Sequence, residues 1–142
     1  MKTVQFILNQ KPDLLFSVPQ DSSVYNALEL MMDKNISALL VMEGEVLQGI
    51  FTERDYARKV ILKGKASKTT AIAEVMTREV ITVSPSESVE RCMAIMTSMH
   101  IRHLPVAEND KIVGFISIGD LVRHVIEDQK STIEHLQSYI SS

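Results

Sequence analysis

Apolar positions along this chain follow two periods, and the order in which those periods alternate occurs twice. Val24, Ala27, Leu28, Met31 and Met32 recur at the spacing of a helix with one buried face, behind N-cap candidates in Asp21-Ser22-Ser23. Unbroken apolar runs then take over. Ala38-Leu39-Leu40-Val41-Met42 and Val46 to Phe51, parted by Glu43-Gly44-Glu45, predict a β-hairpin. Leu14 to Val18, ended by Pro19, predicts a strand ahead of the helix. A second helix is predicted from Arg54 to about Leu62, opened by Thr52 or Glu53 and stopped near Gly64. The unit reads strand, helix, strand, strand, helix.

It returns at a shift of 65 residues, without a gap from Ser17/Thr82 to Val60/Val125. Gly49-Ile50-Phe51-Thr52-Glu53-Arg54-Asp55 comes back as Gly114-Phe115-Ile116-Ser117-Ile118-Gly119-Asp120. Val24, Met31, Ile36, Leu39 and Val41 fall on Val89, Met96, Ile101, Leu104 and Val106. Ile81-Thr82-Val83 supplies the strand, Ser84-Pro85-Ser86-Glu87 leads into the helix, and Leu104 to Ala107 with Ile112 to Ser117 forms the hairpin. A repeat of this length is one supersecondary unit used twice, the copies burying a face against each other. Thr3 to Leu8 and Thr70 to Met76 predict short helices ahead of the two copies, and Lys63-Gly64-Lys65-Ala66-Ser67-Lys68 a basic linker.

The last predicted helix, from Ser117 to about Ser138, runs past the repeat. Ile133, Leu136 and Ile140 share one face of this tail, a stripe that packs on its own domain or on a second copy. The expected division is 1–69 for the first repeat with its N-terminal helix and linker, 70–126 for the second repeat, and 127–142 for a helical tail. The fold class is α/β of the α+β kind, two βαββα repeats plus a C-terminal helix.

Composition narrows the function. In 142 residues, 45% hydrophobic and 23% charged content suits a packed core under a solvated surface. A net charge of −3 argues against a nucleic-acid partner, which asks for a basic face. No apolar run nears the roughly 20 residues of a membrane span. The N-terminal apolar run is broken by Asn9, Gln10 and Lys11 too early for a signal peptide. Cys92 is the single cysteine, which excludes an intrachain disulfide and makes a reducing cytoplasm the expected location. On an apolar helix face, it reads as buried rather than reactive.

Each copy sets a short hydroxyl residue three positions before an Asp at a strand-to-helix junction: Thr52 with Asp55, and Ser117 with Asp120. Two readings stand. The hydroxyl is an N-cap and the Asp complements the helix dipole, or the pair holds a small phosphorylated ligand at the start of a helix. Signals for catalysis are weaker. Ser117, Asp120 and His124 come without the G-x-S-x-G elbow of a hydrolase, and no G-x-x-x-x-G-K-[ST] loop is present. His100 and His103 stand three apart with no third ligand in view for zinc. No catalytic residue and no metal site is read from the chain.

With this architecture, the two hydroxyl-x-x-Asp motifs, Val75-Met76-Thr77 and Arg102-His103-Leu104-Pro105-Val106, the chain resembles the cystathionine β-synthase (CBS) domain pair, or Bateman module. The resemblance covers about Phe6 to Val125. Phe51-Thr52-Glu53-Arg54-Asp55-Tyr56-Ala57-Arg58-Lys59 is similar to the stand-alone CBS-pair proteins of bacteria and their plant organellar relatives. The resemblance implies two repeats facing each other about a pseudo-two-fold axis. It also implies a cytoplasmic regulatory module with no catalytic domain or catalytic cofactor. Its ligand would be AMP, ADP, ATP or NAD(H), and it would form a homodimer whose change of shape is read by an unknown regulated protein. The second class of function is a protein–protein or redox-partner regulatory module with no bound nucleotide, since similar plant proteins are thought to act on thioredoxins.

The resemblance further implies roles for particular residues. Asp55 and Asp120 take the ribose hydroxyls, and Thr52 and Ser117 a ribose or phosphate oxygen. The backbones of Ser37-Ala38-Leu39-Leu40 and Arg102-His103-Leu104-Pro105 edge the adenine, with Ser17 and Thr82 beside the base or ribose. Arg102 and His103 are the cations of the second repeat, Arg being able to grip phosphate bidentately. Since a cation of one repeat reaches a nucleotide held by the other, Arg102 and His103 are assigned to the Asp55 site and Arg54 to the Asp120 site. Arg58 and Lys59 are further cations or a solvated helix face. The first repeat departs from the family pattern: Ser37-Ala38 supplies no cation, Leu40 replaces the usual Pro, and Gly119 stands where Arg54 would repeat. Two unequal sites are the expectation.

Overall fold

The computed structural model describes residues 2–12 and 14–141; Met1, Asp13 and Ser142 lie outside the described residues. In chain order the elements are α1 (Val4–Leu8), β1 (Ser17–Val18), α2 (Val24–Lys34), β2 (Ala38–Glu43), β3 (Val46–Thr52), α3 (Glu53–Tyr56), α4 (Ile72–Val75), α5 (Val89–Met99), β4 (His103–Glu108), β5 (Lys111–Ser117) and α6 (Ile118–Ser141). A π-helical stretch, Ala57–Ile61, continues α3 directly. The architecture is mixed α/β with two small sheets and a C-terminal helix, as the alternating periods predict.

The two copies form by the same local rules. Ser23 and Ser88 cap α2 and α5 by accepting from the N–H of Asn26 and Arg91, each at 3.0 Å. Both helices end on a residue in the left-handed region, Asn35 (φ 54°) and His100 (φ 55°). In the hairpins, Ala38 pairs with Thr52 and His103 with Ser117, and both ladders slip at the same place, Val41/Met42 and Val106/Ala107. Asn109 and Asp110 both have positive φ, as a tight two-residue hairpin turn requires.

Both first strands are shorter than their apolar runs predict. Of Leu14 to Val18 only Ser17–Val18 pairs, in parallel with Leu40 and Val41. Leu14 and Leu15 stay exposed at 64% and 42%, because the chain there turns aside to wall a cleft. In the second copy, Val83 alone bridges Val106.

The packing units also differ from the order of the sequence. One core gathers Val24, Ala27, Met31, Leu39, Val41, Phe51 and Val60 with Ile72 and Val75 of α4. The other gathers Val89, Cys92, Met96, Leu104, Val106, Ile116 and Leu121 with Val4 and Ile7 of α1. Each short helix therefore packs on the repeat that does not follow it. Backbone pairing fixes the exchange: Thr3 bridges Ser88 and Ser23 bridges Ala71. Cys92 is fully buried, and burial, with the nearby Glu87 charge, pushes its thiol up to about 11. Among the described residues, no helix is long and apolar enough to cross a membrane.

Candidate functional site

Both Asp residues stand where a β-hairpin runs into a helix, and both close a reciprocal cap. Asp55 N–H donates to Thr52 Oγ1 at 3.1 Å, while Thr52 N–H donates to Asp55 Oδ2 at 3.0 Å. Asp120 N–H donates to Ser117 Oγ at 3.2 Å, and Ser117 N–H returns to Asp120 Oδ2 at 2.9 Å. The N-cap reading of the motif therefore holds in both copies.

Beyond the caps the two sites part. Asp55 Oδ2 also accepts from the Thr52 hydroxyl at 3.2 Å, and its Oδ1 accepts from the Thr77 hydroxyl and from Lys59 Nζ, each at 3.0 Å. A carboxylate offers about four acceptor positions, and here all are taken. Thr77 is itself held by the backbone: it exchanges N–H···O bonds with Ile50 at 2.8 and 2.9 Å. Gly49 lets that segment lie so close, since a Cβ there would fall 2.6 Å from the Thr77 carbonyl oxygen.

At Asp120 the corresponding partner is a side chain. Lys11 Nζ donates to Asp120 Oδ2 at 2.7 Å and to the Phe115 carbonyl at 2.8 Å, the repeat counterparts of Asp55 and Ile50. Asp120 Oδ1 has only a long contact to the exposed Arg123, 3.3 Å. Burial alone would raise the Asp120 pKa, but hydrogen bonds from Lys11 and Ser117 and the Lys11 charge hold it below the usual carboxylate range.

Lys59 has His124 as its repeat counterpart, and the rest of the difference lies in the connecting chain. Five residues separate Met76 from Thr82, whereas eight separate Leu8 from Ser17. Leu8 and Met76 are matched positions, facing Gly114 and Gly49 respectively. The longer connector carries Lys11 over the second hairpin where the shorter one lays down Thr77.

That connector forms one wall of a cleft of about 350 Å³. Its apolar lining is Leu14, Leu15, Phe16, Ile36, Phe115 and Ile116; its polar groups are Lys11, Asn35, Ser37, His103, Ser117 and Asp120. Such a size and mixture suit a small organic ligand. Of the residues singled out in the sequence, the structure brings Ser37, Ala38, His103, Ser117 and Asp120 together here. Thr52 and Asp55 stand apart with Thr77 and Lys59.

The others lie outside the lining of this cleft. Ser17 is exposed in β1 and Thr82 beside Val83, Leu104 and Pro105 are buried in β4, and Arg58 is exposed on the π-helical stretch. Arg102 is exposed, its carbonyl accepting from Ile118 N–H at 2.8 Å.

Two placements correct the expectation. His103, assigned to the Asp55 site, stands in the Asp120 cleft, 3.2 Å from Ser37 Oγ and tilted against the Phe115 ring. Burial lowers its pKa to about 4 against the raising effect of Asp120, helped by the charges of Lys11 and Arg102. At neutral pH, it offers a hydrogen bond and not a cation. Arg54, assigned to the Asp120 site, donates instead to the His100 carbonyl at 2.9 Å. That carbonyl ends α5, where no helical N–H reaches it.

Lys11 was not legible as a site residue. It lies outside the gapless repeat, in a run that reads only as polar. Thr77 was read as part of a family motif, but its bond to Asp55 crosses from the second connector to the first repeat.

Comparison with known proteins agrees with this architecture. The CBS domain family matches residues 12–62 and 72–127. The mitochondrial CBS domain-containing protein CBSX3 of Arabidopsis thaliana is 42% identical over 125 residues, 84% of this chain and 61% of that longer protein. A signal-transduction protein with CBS domains from Burkholderia ambifaria superposes with a TM-score of 0.88 at 50% identity, covering 90% of this chain and 96% of the other. A CBS domain pair solved in complex with 5'-methylthioadenosine and S-adenosyl-L-methionine superposes with a TM-score of 0.80 at 26% identity, over 90% and 98% of the two chains. Two copies of one unit, each closing on a hydroxyl-x-x-Asp cap and each matched in turn, place this chain in the CBS-domain family.

Proposed function

We propose that this CBS pair is a regulatory module that takes one adenosine-containing ligand, AMP, ADP, ATP or NAD(H), in the cleft at Asp120. The observation that carries the reading is the contrast in acceptor capacity. Asp120 faces a cleft of about 350 Å³ with Oδ1 nearly free, whereas the acceptor positions of Asp55 are already taken by Thr52, Thr77 and Lys59. The vicinal hydroxyls of a ribose fit the first carboxylate, the apolar walls fit a base, and His103 and Ser37 add neutral hydrogen-bonding groups. The related CBS pair with two adenosine compounds bound supports the class of ligand. Asp55 then acts as a structural pin. Regulation follows if the ligand prefers one of two shapes of the protein, since equal affinity for both shifts nothing. No turnover is assigned to the cleft.

A thermal-shift panel of AMP, ADP, ATP, NAD, NADH, S-adenosylmethionine and GTP on nucleotide-free protein tests this. A saturable, adenine-selective rise in Tm, with one ligand per chain by calorimetry, is the expected result. A flat panel sinks it.

The flat panel would favour the second reading, a protein-interaction module. One observation speaks for it: Ile126, Ile133, Leu136 and Ile140 on α6 are 55–81% exposed.

A further inference from the structure

We infer that Lys11 makes the Asp120 cleft select adenosine compounds that carry a phosphate over those that do not; this rests on the adenosine reading above. Among the described residues lining the cleft, Lys11 is the one cation at neutral pH. Arg54 is engaged at the His100 carbonyl, Arg123 is largely in solvent, and His103 is neutral.

The geometry makes Lys11 more than a local charge. A diol that grips a carboxylate with both hydroxyls needs both oxygens, and one position on Asp120 Oδ2 is held by Lys11 at 2.7 Å. The ligand has to move the ammonium aside. That ion pair is partly shielded, the two side chains being 32% and 9% exposed, so breaking it without a substitute is costly. A ligand with a 5'-phosphate brings the substitute with it, an anion that accepts the displaced ammonium. Adenosine and 5'-methylthioadenosine bring none, and a sulfonium repels it.

The exchange is available at this site because the partner is a flexible side chain. At Asp55 the matching donor is Thr77, whose backbone is fixed by two hydrogen bonds to Ile50 and cannot swing away as a lysine side chain can. The same carboxylate position thus becomes a pin in one half and a displaceable latch in the other.

Titration calorimetry of the full chain, its Lys11→Met variant and its Lys11→Arg variant against adenosine, 5'-methylthioadenosine, AMP and ADP decides the matter. The native chain is expected to prefer AMP and ADP. Lys11→Met should weaken both about tenfold while tightening adenosine and 5'-methylthioadenosine, so that the preference narrows or inverts. Lys11→Arg should keep the native order. Weakening of all four compounds together, or no change in any, would remove Lys11 from selection and leave the adenosine reading standing. A native chain that binds none of the four, nor ATP or NADH in the same titration, overturns both. Urea midpoints confirm that each variant folds, and Lys11→Gln replaces Lys11→Met in the same comparison if the latter does not.

Discussion

Asp55 and Asp120 occupy the same place in two copies of one unit, and each closes the same cap with a hydroxyl three residues earlier. They differ in what the connecting chain brings over them. Five residues after Met76 bring a backbone bridge and a threonine hydroxyl; eight after Leu8 bring a lysine. The first, together with Thr52 and Lys59, fills the carboxylate's acceptor positions, and the second leaves it facing a cleft. A repeated cap therefore does not bring repeated surroundings to its carboxylate, even where the hydroxyl-x-x-Asp pattern is kept.

The comparison breaks most directly at the carboxylates. Asp55→Ala leaves the Thr52 N–H, the Thr77 hydroxyl and Lys59 without their acceptor, and should cost about 2–3 kcal/mol in urea unfolding. Asp120→Ala should cost less, about 1–2 kcal/mol, because Arg123 is largely in solvent and Lys11 only partly shielded, yet abolish the ligand-induced rise in Tm. Equal stability losses, or a rise that survives Asp120→Ala, would dissolve the distinction between pin and ligand site.

Two glycines sharpen it. Gly49→Ala pushes a Cβ to 2.6 Å from the Thr77 carbonyl oxygen, so the segment over Asp55 must shift, at about 1–3 kcal/mol. Gly119→Ala meets only Ser117 Oγ at 3.5 Å and sits in the first turn of α6, where alanine should stabilise by about 0.5–1 kcal/mol. Differential scanning calorimetry of the pair should move Tm in opposite directions.

The smallest effect is on pH dependence. His103 has a folded pKa of about 4 against about 6.5 when free, so between these values the unfolded chain binds a proton that the folded chain does not. Stability should fall as pH drops from about 6.5 towards 4. The lowered Asp120 pKa adds a loss only at lower pH, as that carboxylate takes up its proton. His103→Gln should flatten the decline between pH 6.5 and 4 in a Tm series; a slope unchanged by the substitution would remove His103 as its source.

Much of the fold was legible because α2, α5 and the two hairpins each follow a single period and a single shift. The readings that failed lie where one residue serves two purposes. Leu14 and Leu15 look like strand because they are apolar, but they wall a cleft. The short helices α1 and α4 show their apolar faces in the sequence, but not that each packs on the other repeat. His103 reads as a cation until burial is known. Lys11 escapes altogether, since its role depends on connector length, and the residue-by-residue register begins only after it.

A difference of length, unlike a difference of residue type, is portable. Exchanging the connector between Leu8 and Ser17 with that between Met76 and Thr82 would leave both βαββα units untouched. On the proposed reading the opening would follow the longer connector to the first half, where Lys59 stays as the repeat's own claim on the carboxylate.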